Sequence, residues 1–270
     1  MISSIRHKTT VKKIIKKAVI VIGVSVFWLL IWELISIKVQ TELLLPSPLK
    51  VASTWVTLIQ TKTFWISTGF SLLRITIGYI LAVVVGCFLA FLTAHFAILR
   101  AVLSPILRII KAAPVASFII LALVWIQTDF LPLFIAFLMV IPLVWANVEQ
   151  GILQTDKKLL EMGKVFGLSK AKLWKTIRLP SVMPYLISAM QTGLGFAWKS
   201  GIAAEVICRP NHAIGDSLYH AKQVLETPEV FAWTATVIVL SVCLEKLLLW
   251  GSDTFGRRYN AENGGKQNEY

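Results

Sequence analysis

The chain has 270 residues, of which 56% are hydrophobic and only 15% are charged, and its mean hydropathy is +0.73. Soluble domains carry about a quarter charged residues, so this composition excludes a soluble protein and indicates an integral membrane protein. The net charge of +13 does not indicate a nucleic-acid partner, because the basic residues lie in short segments beside hydrophobic runs and form no groove interleaved with aromatic residues.

Six hydrophobic runs predict an all-α integral membrane protein with six transmembrane helices. A helix needs about 20 apolar residues to cross a bilayer. The predicted spans are residues 19–37, 72–94, 107–126, 131–148, 185–208 and 230–250. We therefore expect a tail at 1–18, a transmembrane domain at 19–250 and a polar tail at 251–270 that is disordered after Tyr259.

Local patterns add detail to the first four spans. An amphipathic helix is predicted at the outer surface after the first span, from apolar residues at helical spacing: Val51, Trp55, Leu58 and Ile59. Arg74, near the outer end of the second span, is expected either to reach the interface or to pair with a neighbouring helix. Pro114 predicts a bend in the third span.

The distribution of Lys and Arg predicts the orientation. Nineteen of the 27 such residues fall in segments 1–18, 97–111, 151–183 and 251–270, and five fall in the segments on the other side. Cytoplasmic segments are the basic ones in membrane proteins. Both termini and residues 151–183, which we name the inner loop, are therefore predicted to be cytoplasmic.

The inner loop has the pattern of two short helices. Apolar residues at helical spacing predict an amphipathic helix over 157–166, and Gly167 is suited to end it. Ser169 can cap a second helix, which Pro180 is predicted to end. That second helix carries three apolar residues on one face: Leu173, Trp174 and Ile177. Such an element, with an apolar ridge and a basic flank, is suited to docking in a groove on a partner protein.

The fifth predicted span carries small and polar residues on one face. They follow one another at steps of three or four: Ser188, Thr192, Gly195, Lys199 and Ala203. Helices in lipid place such faces against other helices or a wet cavity, so Lys199 is expected either to pair with an acidic group on another helix or to line a translocation pathway. Glu205 is the nearest acidic residue and is included as a candidate pathway residue, although it lies about 120° round the helix from Lys199.

The sequence lacks motifs for catalysis or metal binding. It contains no GxxxxGK[ST] and no HExxH, and its three cysteines form no CxxC pair. We therefore expect no metal site and no enzyme activity in this chain.

Several stretches resemble ABC importer permeases. The spacing of Glu161, Gly167, Ile177 and Pro180 resembles the EAA loop of these permeases, with Met162-Gly163 in place of the usual pair of alanines. Four further stretches resemble the nitrate/sulfonate/taurine branch: LLPSPLKV (44–51), SLLRITIGY (71–79), KAAPVASFIILALVWI (111–126) and AWKSGIAAEV (197–206). The resemblance covers most of residues 44–250.

This resemblance implies a type I ABC importer permease fold in a multi-pass protein of the bacterial cell membrane. It implies a second permease copy, cytoplasmic ATPase subunits that bind ATP and Mg, and an external substrate-binding protein, with no cofactor in this chain. The ATPase-coupling residues would be those of the loop: Glu161, Gly167, Leu173, Trp174, Ile177 and Pro180. The implied solute is an anion such as nitrate, a sulfonate or taurine, or else a vitamin precursor or heterocycle.

Two other classes of protein remain as alternatives. An autonomous secondary carrier or channel is disfavoured by the small size, the lack of acidic residues deep in the spans and the absence of an inverted repeat. A membrane-embedded enzyme or an assembly scaffold is disfavoured by the lack of clustered Asp or His residues.

Overall fold

A computed structural model describes the backbone of residues 2–264 and the side chains of residues 19, 20 and 22–251. This part of the chain forms α-helices and one turn of π-helix, and contains no β-strand. The α-helices, in chain order, are α1 Ile2–Val39, α2 Pro48–Ile59, α3 Lys62–His95, α4 Ala97–Ala112, α5 Val115–Ala122, α6 Leu131–Leu153, α7 Lys157–Val165, α8 Lys170–Leu173, α9 Leu179–Cys208, α10 Ile214–Gln223 and α11 Thr227–Gly264. The all-α class predicted from the sequence is confirmed.

The chain divides into two compact units. The smaller unit comprises the residues up to Thr61 together with His220–Thr234. Within it, the indole Nε1 of Trp32 in α1 donates a hydrogen bond to the Pro46 carbonyl at 3.1 Å. Ser47 caps α2, because its hydroxyl oxygen accepts from the Lys50 amide at 3.3 Å. The helix predicted after the first span is thereby confirmed.

The larger unit comprises Lys62–Tyr219 and the residues from Ala235 onward, and α3, α6 and α9 form its core. Glycines allow these helices to approach closely. A Cβ atom on Gly78 of α3 would lie 2.3 Å from the Leu133 carbonyl oxygen of α6, and one on Gly201 of α9 would lie 2.6 Å from Ile75 of α3. The Tyr79 hydroxyl also donates to the Met190 carbonyl at 2.9 Å, which ties α3 to α9. The core therefore fixes which face of α9 is left exposed.

Four helices of the described chain are long and apolar enough to cross a membrane: α3, α6, and the segments Ile22–Val39 of α1 and Thr227–Gly251 of α11. The bent pair α4 and α5 would make a fifth. Helix α9 has 30 residues and is therefore long enough to cross a membrane. Its polar side chains lower its mean hydropathy, so it is not among the helices that are also apolar enough. The count of six spans therefore stays a prediction.

The region of the third span, predicted over 107–126, is built from two helices, α4 and α5. The chain breaks between α4 and α5 and bends by 104° there. Pro114 is the cause, because it cannot continue α4 and instead occupies the N-cap position of α5 with φ −61° and ψ 133°. The bend expected at Pro114 is confirmed, but it is a break rather than a kink in one helix.

The prediction that Pro180 ends the second helix of the inner loop is also wrong. Helical backbone continues from α8 through a π-helical turn, Trp174–Arg178, directly into α9, where Pro180 occupies the first turn. A π-helical turn has wider i→i+5 hydrogen bonding. Pro180 lacks an N–H, and the first turn of a helix is the place where a missing N–H is tolerated.

The C-terminal tail and the last outer segment also differ from the predictions. Helix α11 extends to Gly264, past Tyr259, where disorder was predicted, and 265–270 lie outside the described residues. Helix α1 begins at Ile2, within the segment predicted as the N-terminal tail. Helix α10 was not predicted, although its apolar residues Ile214, Leu218 and Ala221 follow one another at helical spacing.

Candidate functional site

Local hydrogen bonds define both ends of α7 in the inner loop. The Asp156 carboxylate accepts from the Lys158 amide at 2.8 Å and caps the start. At the other end Gly167 has φ +67°, the left-handed conformation predicted for it. The Gly167 amide donates to the Lys164 carbonyl and the Leu168 amide donates to the Gly163 carbonyl, both at 3.0 Å. This pair of bonds is a Schellman motif, which fixes the angle at which the chain leaves α7.

The second helix of the loop packs closely on the first. A Cβ atom on Gly163 would lie 2.4 Å from Cδ2 of Leu173 and 3.1 Å from Cδ1 of Ile177. Trp174 packs edge-on against Phe91 of α3, with ring centroids 5.5 Å apart. Leu173 is buried, and Trp174 and Ile177 are half-buried. The ridge predicted to contact a partner is therefore turned inward, where it holds the loop against the bundle.

The exposed apolar surface of the inner loop lies on α7 and its last turn. We name it the α7 patch, and its residues are Leu159, Met162, Val165 and Phe166. Val165 is 86% exposed and Phe166 is 74% exposed. Glu161 and Gly167 are exposed beside this patch, whereas Pro180 is half-buried. Contiguous exposed apolar residues next to a polar loop are typical of a protein-docking surface.

The small and polar face predicted on the fifth span is the exposed face of α9. We name it the polar stripe: Ser188, Thr192, Gly195, Lys199 and Ala203. All but Gly195, which is half-exposed, are exposed in the single chain, while the residues between them are mostly buried against α3 and α6. Three stripe residues, Thr192, Gly195 and Lys199, line a cavity of about 310 Å³ between α9 and α11, which we name the α9–α11 cavity.

Helix α11 adds polar groups to the same cavity. Ser241 and Glu245 face it, together with Gln191 of α9. Among the side chains that the structure describes, Lys199 forms no salt bridge, with Glu245 or with any other acid. Glu245 is an acidic residue of another helix that lines the cavity with Lys199, but the structure does not show the pairing that was one of the two expectations for Lys199. Sequence spacing could not find Glu245, because it lies 46 residues along the chain.

Glu205 lies on a different face of α9, away from the polar stripe. It is fully buried, and its Oε2 accepts from the Ser71 hydroxyl at 2.8 Å and from the Gly215 amide at 3.1 Å. Ser71 in turn accepts from the Ile214 amide at 2.9 Å. The structure therefore places Glu205 in a cluster that anchors the start of α10, and not with the other candidate pathway residues.

Arg74 belongs to a second set of contacts, which involve the loop between α9 and α10. Its Nη2 donates to Asp129 at 3.2 Å and to the Asn211 carbonyl at 2.9 Å. The same Asp129 oxygen accepts from the Asn211 amide at 3.1 Å. Of the two alternatives for Arg74, the structure shows pairing, and it joins the turn between α5 and α6 to the loop after α9.

These features are typical of a membrane transport subunit: a helical bundle, a polar helix face with a cavity beside it, and a folded inner loop with an exposed apolar patch. The amino acid ABC transporter with histidines, a solved structure, has a TM-score of 0.56 to this chain at 17% identity, and the alignment covers 68% of this chain and 90% of that one. This likeness supports the ABC permease fold.

Residues 82–258 match the family described as binding-protein-dependent transport system inner membrane component. The match covers more than half of the chain, and the chain belongs to this family. It is therefore the permease subunit of an ABC transporter, a multi-pass inner membrane protein and not an enzyme, and it works with an ATPase and a substrate-binding protein. The alternatives of an autonomous carrier or channel, an embedded enzyme and an assembly scaffold are set aside.

Curated relatives support the branch of the family. A probable ABC transporter permease of Brucella melitensis is 26% identical over 76% of this chain and 83% of its own length. The bicarbonate transport system permease of Synechocystis is 28% identical over 73% of this chain and 74% of its own length. The taurine transport system permease of Escherichia coli is 22% identical over 79% of this chain and 80% of its own length. The predicted resemblance to the nitrate/sulfonate/taurine permeases is confirmed.

Proposed function

We propose that this permease works as a homodimer and carries a small anionic solute along a pathway lined by the polar stripe of α9 in both copies. One observation carries the proposal: the stripe is exposed in the single chain, although α9 is packed into the core of the larger unit. An ammonium facing lipid would be costly. A second copy and a wet space between the copies would give the ammonium suitable surroundings.

The solute class is inferred from Lys199 together with the names of two relatives. The cavity of about 310 Å³ is lined by one cation, Lys199, and one acid, Glu245, and among the described side chains the two form no salt bridge. That volume suits a small solute. The names of two relatives specify bicarbonate and taurine, and both compounds carry an anionic group that an ammonium can bind. We therefore favour a small carboxylate-like or sulfonate anion over an uncharged heterocycle.

The α7 patch is proposed to dock in a cleft on the ATPase, which binds ATP and Mg. Closure of the ATPase subunits would then move the two permease copies as rigid bodies and open the pathway alternately to each side. Glu161 and Gly167 would lie at this interface, and Leu173, Trp174, Ile177 and Pro180 would transmit the movement from the loop into α9. This arrangement requires the inner loop and both termini to be cytoplasmic.

The test of the pathway is Lys199→Met in the complete transporter, reconstituted with its ATPase and binding protein. We expect normal assembly and basal ATP hydrolysis, with solute uptake reduced about tenfold or more, because a charge-assisted hydrogen bond to the anion is lost. Lys246→Met is the matched control, since Lys246 is also an exposed lysine in a membrane helix but does not line the cavity.

Three outcomes of this experiment contradict the proposal. An unstable complex assigns Lys199 a structural role. If the Lys246 variant loses as much uptake, removal of either lysine from a membrane helix lowers transport, and the effect is not specific to Lys199. If the Lys199 variant takes up bicarbonate, nitrate and taurine, each measured separately, as fast as the unmodified protein, then Lys199 does not line the pathway. An uncharged solute such as a heterocycle would then be as well supported as an anion.

A further inference from the structure

A second cavity, of about 490 Å³, lies between the end of α3 and the inner loop. We name it the basic cavity. Its polar lining consists of four basic residues, and no acidic residue lines it: His95, Lys164, Lys170 and Arg178. Neither lysine forms a salt bridge with a described side chain. Cations gathered in one concave site without a counter-charge are expected to attract an anionic group.

Aromatic contacts position one of these cations. Nη1 of Arg178 donates to Nε2 of His95 at 3.3 Å, and the guanidinium lies over the Trp174 ring, 5.5 Å from its centroid. Nδ1 of His95 lies 2.9 Å from the Phe91 carbonyl. A guanidinium can only donate, so Nε2 of His95 accepts in this contact and the ring helps to orient Arg178. The remaining guanidinium donors stay available for a multivalent oxygen acceptor such as phosphate.

An exposed apolar stripe on α3 leads to this cavity. Its residues follow at steps of three or four and end one turn before His95: Leu81, Val84, Phe88 and Phe91. We name it the α3 stripe. Ten residues of α-helix span about 15 Å, which is about half the thickness of the hydrocarbon core of a bilayer. The stripe therefore has the length and chemistry to lie along one acyl chain of a single leaflet.

The basic cavity is separate from the proposed ATPase-docking surface. Leu160 and Lys164, one turn apart on α7, line the cavity. Met162 of the α7 patch lies two residues from each of them, about 200° round the helix, whereas Leu159 and Val165 are their chain neighbours and lie about 100° round it. No residue of the α7 patch lines the basic cavity, so the two surfaces are neighbouring faces of α7 that use different side chains.

We propose that the basic cavity binds the phosphate headgroup of an anionic phospholipid, with an acyl chain along the α3 stripe. The proposal rests on the cytoplasmic orientation of the inner loop given under the proposed function. Basic pockets at the cytoplasmic ends of membrane helices bind such headgroups. The apolar stripe favours a lipid over a soluble anion, because a free phosphate would gain nothing from it.

The test uses the full-length permease in detergent, titrated with phosphatidylglycerol, and counts bound lipid by native mass spectrometry. The variant is Lys164→Gln combined with Lys170→Gln. We expect its affinity for phosphatidylglycerol to fall about thirtyfold, from the loss of two cations near the headgroup. The matched control is Lys158→Gln combined with Lys175→Gln, which removes the same charge from exposed positions of the same loop that do not line the cavity. The control variant should bind as the unmodified protein does.

A second measurement does not depend on removing the lysines. Phosphatidylglycerol with brominated acyl chains should quench the tryptophan fluorescence of the unmodified protein more than that of Trp174→Phe, because Trp174 lines the cavity. Equal quenching in the two proteins overturns the proposal.

The remaining outcomes separate other occupants of the site. Equal affinity for phosphatidylcholine, or full displacement of the lipid by inorganic phosphate, overturns the lipid assignment. If the double lysine variant loses its ATPase but keeps its lipid affinity, the cations belong to the ATPase interface and the proposal is wrong. None of these measurements involves solute uptake, so their failure leaves the proposed transport pathway untouched.

Discussion

The left-handed conformation of Gly167 leads to a prediction at the scale of one residue. No atom lies within 4 Å of a Cβ built on Gly167, so a substitution there is opposed by backbone strain and not by packing. Gly167→Val should cost about 1–2 kcal/mol locally, because a branched residue resists φ +67°. We expect the variant to insert normally but to lose solute-stimulated ATP hydrolysis, measured in the reconstituted transporter.

The control for Gly167 is an asparagine. Asn adopts the left-handed conformation more readily than other non-glycine residues, so Gly167→Asn should retain most of the stimulated hydrolysis. Stimulated hydrolysis that is normal in the valine variant, or equally reduced in both variants, would count against the coupling role of this turn.

Single residues also show where sequence-based prediction succeeds. The cap at Ser169 and the turn at Gly167 depend on neighbours within five positions, so local rules were sufficient to predict them. The bond between Ser71 and Glu205 joins residues 134 positions apart, and no spacing rule links them. The inward orientation of Leu173 was missed for a related reason: helical periodicity identifies an apolar face but not what that face packs against.

At the scale of one element, the α7 patch makes the docking proposal testable. Phe166 is 74% exposed at its edge, and large aromatic residues contribute most to the free energy of protein interfaces. Phe166→Ser should weaken ATPase binding about thirtyfold, measured as the Kd of the purified permease for its ATPase. The fold of the loop should be unchanged, because the ring packs little against the rest of the chain.

A serine substitution at another exposed apolar residue of the inner loop is the control for Phe166→Ser. Leu179 is also an exposed apolar residue, 38% accessible, but lies outside the α7 patch. Leu179→Ser should leave the Kd nearly unchanged. Equal weakening by the two variants would mean that the docking surface is not the α7 patch.

The ends of the helices were harder to predict from the sequence than their presence, as two prolines show. A bend within a span was predicted at Pro114 and a helix end at Pro180, yet the chain breaks between two helices before Pro114, with a bend of 104°, and Pro180 lies in the first turn of a continuing helix. Proline only removes an N–H and restricts φ, so the outcome depends on what precedes it. Before Pro180 a π-helical turn shifts the hydrogen bonding, and single-sequence patterns do not predict such turns.

At the scale of the whole molecule, the orientation in the membrane is tested by cysteine labelling. In a background with Cys87, Cys208 and Cys243 replaced by alanine, single cysteines are placed at Lys50, Lys172 and Lys222. A membrane-impermeant thiol reagent should label positions 50 and 222 in intact cells, and position 172 only after lysis, because the basic segments are retained on the cytoplasmic side. Labelling of position 172 in intact cells would overturn the orientation.

Homodimer formation along α9 is tested by cross-linking between copies in the same cysteine-free background. Single cysteines at Ser188, Thr192 and Ala203 sample the polar stripe, and Val84 and Phe88 of the α3 stripe are the controls, being exposed but apolar. In a symmetric dimer each position near the two-fold axis faces its own copy, so a short bifunctional thiol reagent in membranes should join two chains through at least one polar-stripe cysteine. The α3 controls should remain monomeric, because apolar residues can face lipid at no cost whereas Lys199 of the polar stripe cannot. Dimers formed only through the controls would place the interface on α3, and would also exclude the lipid proposed to lie there.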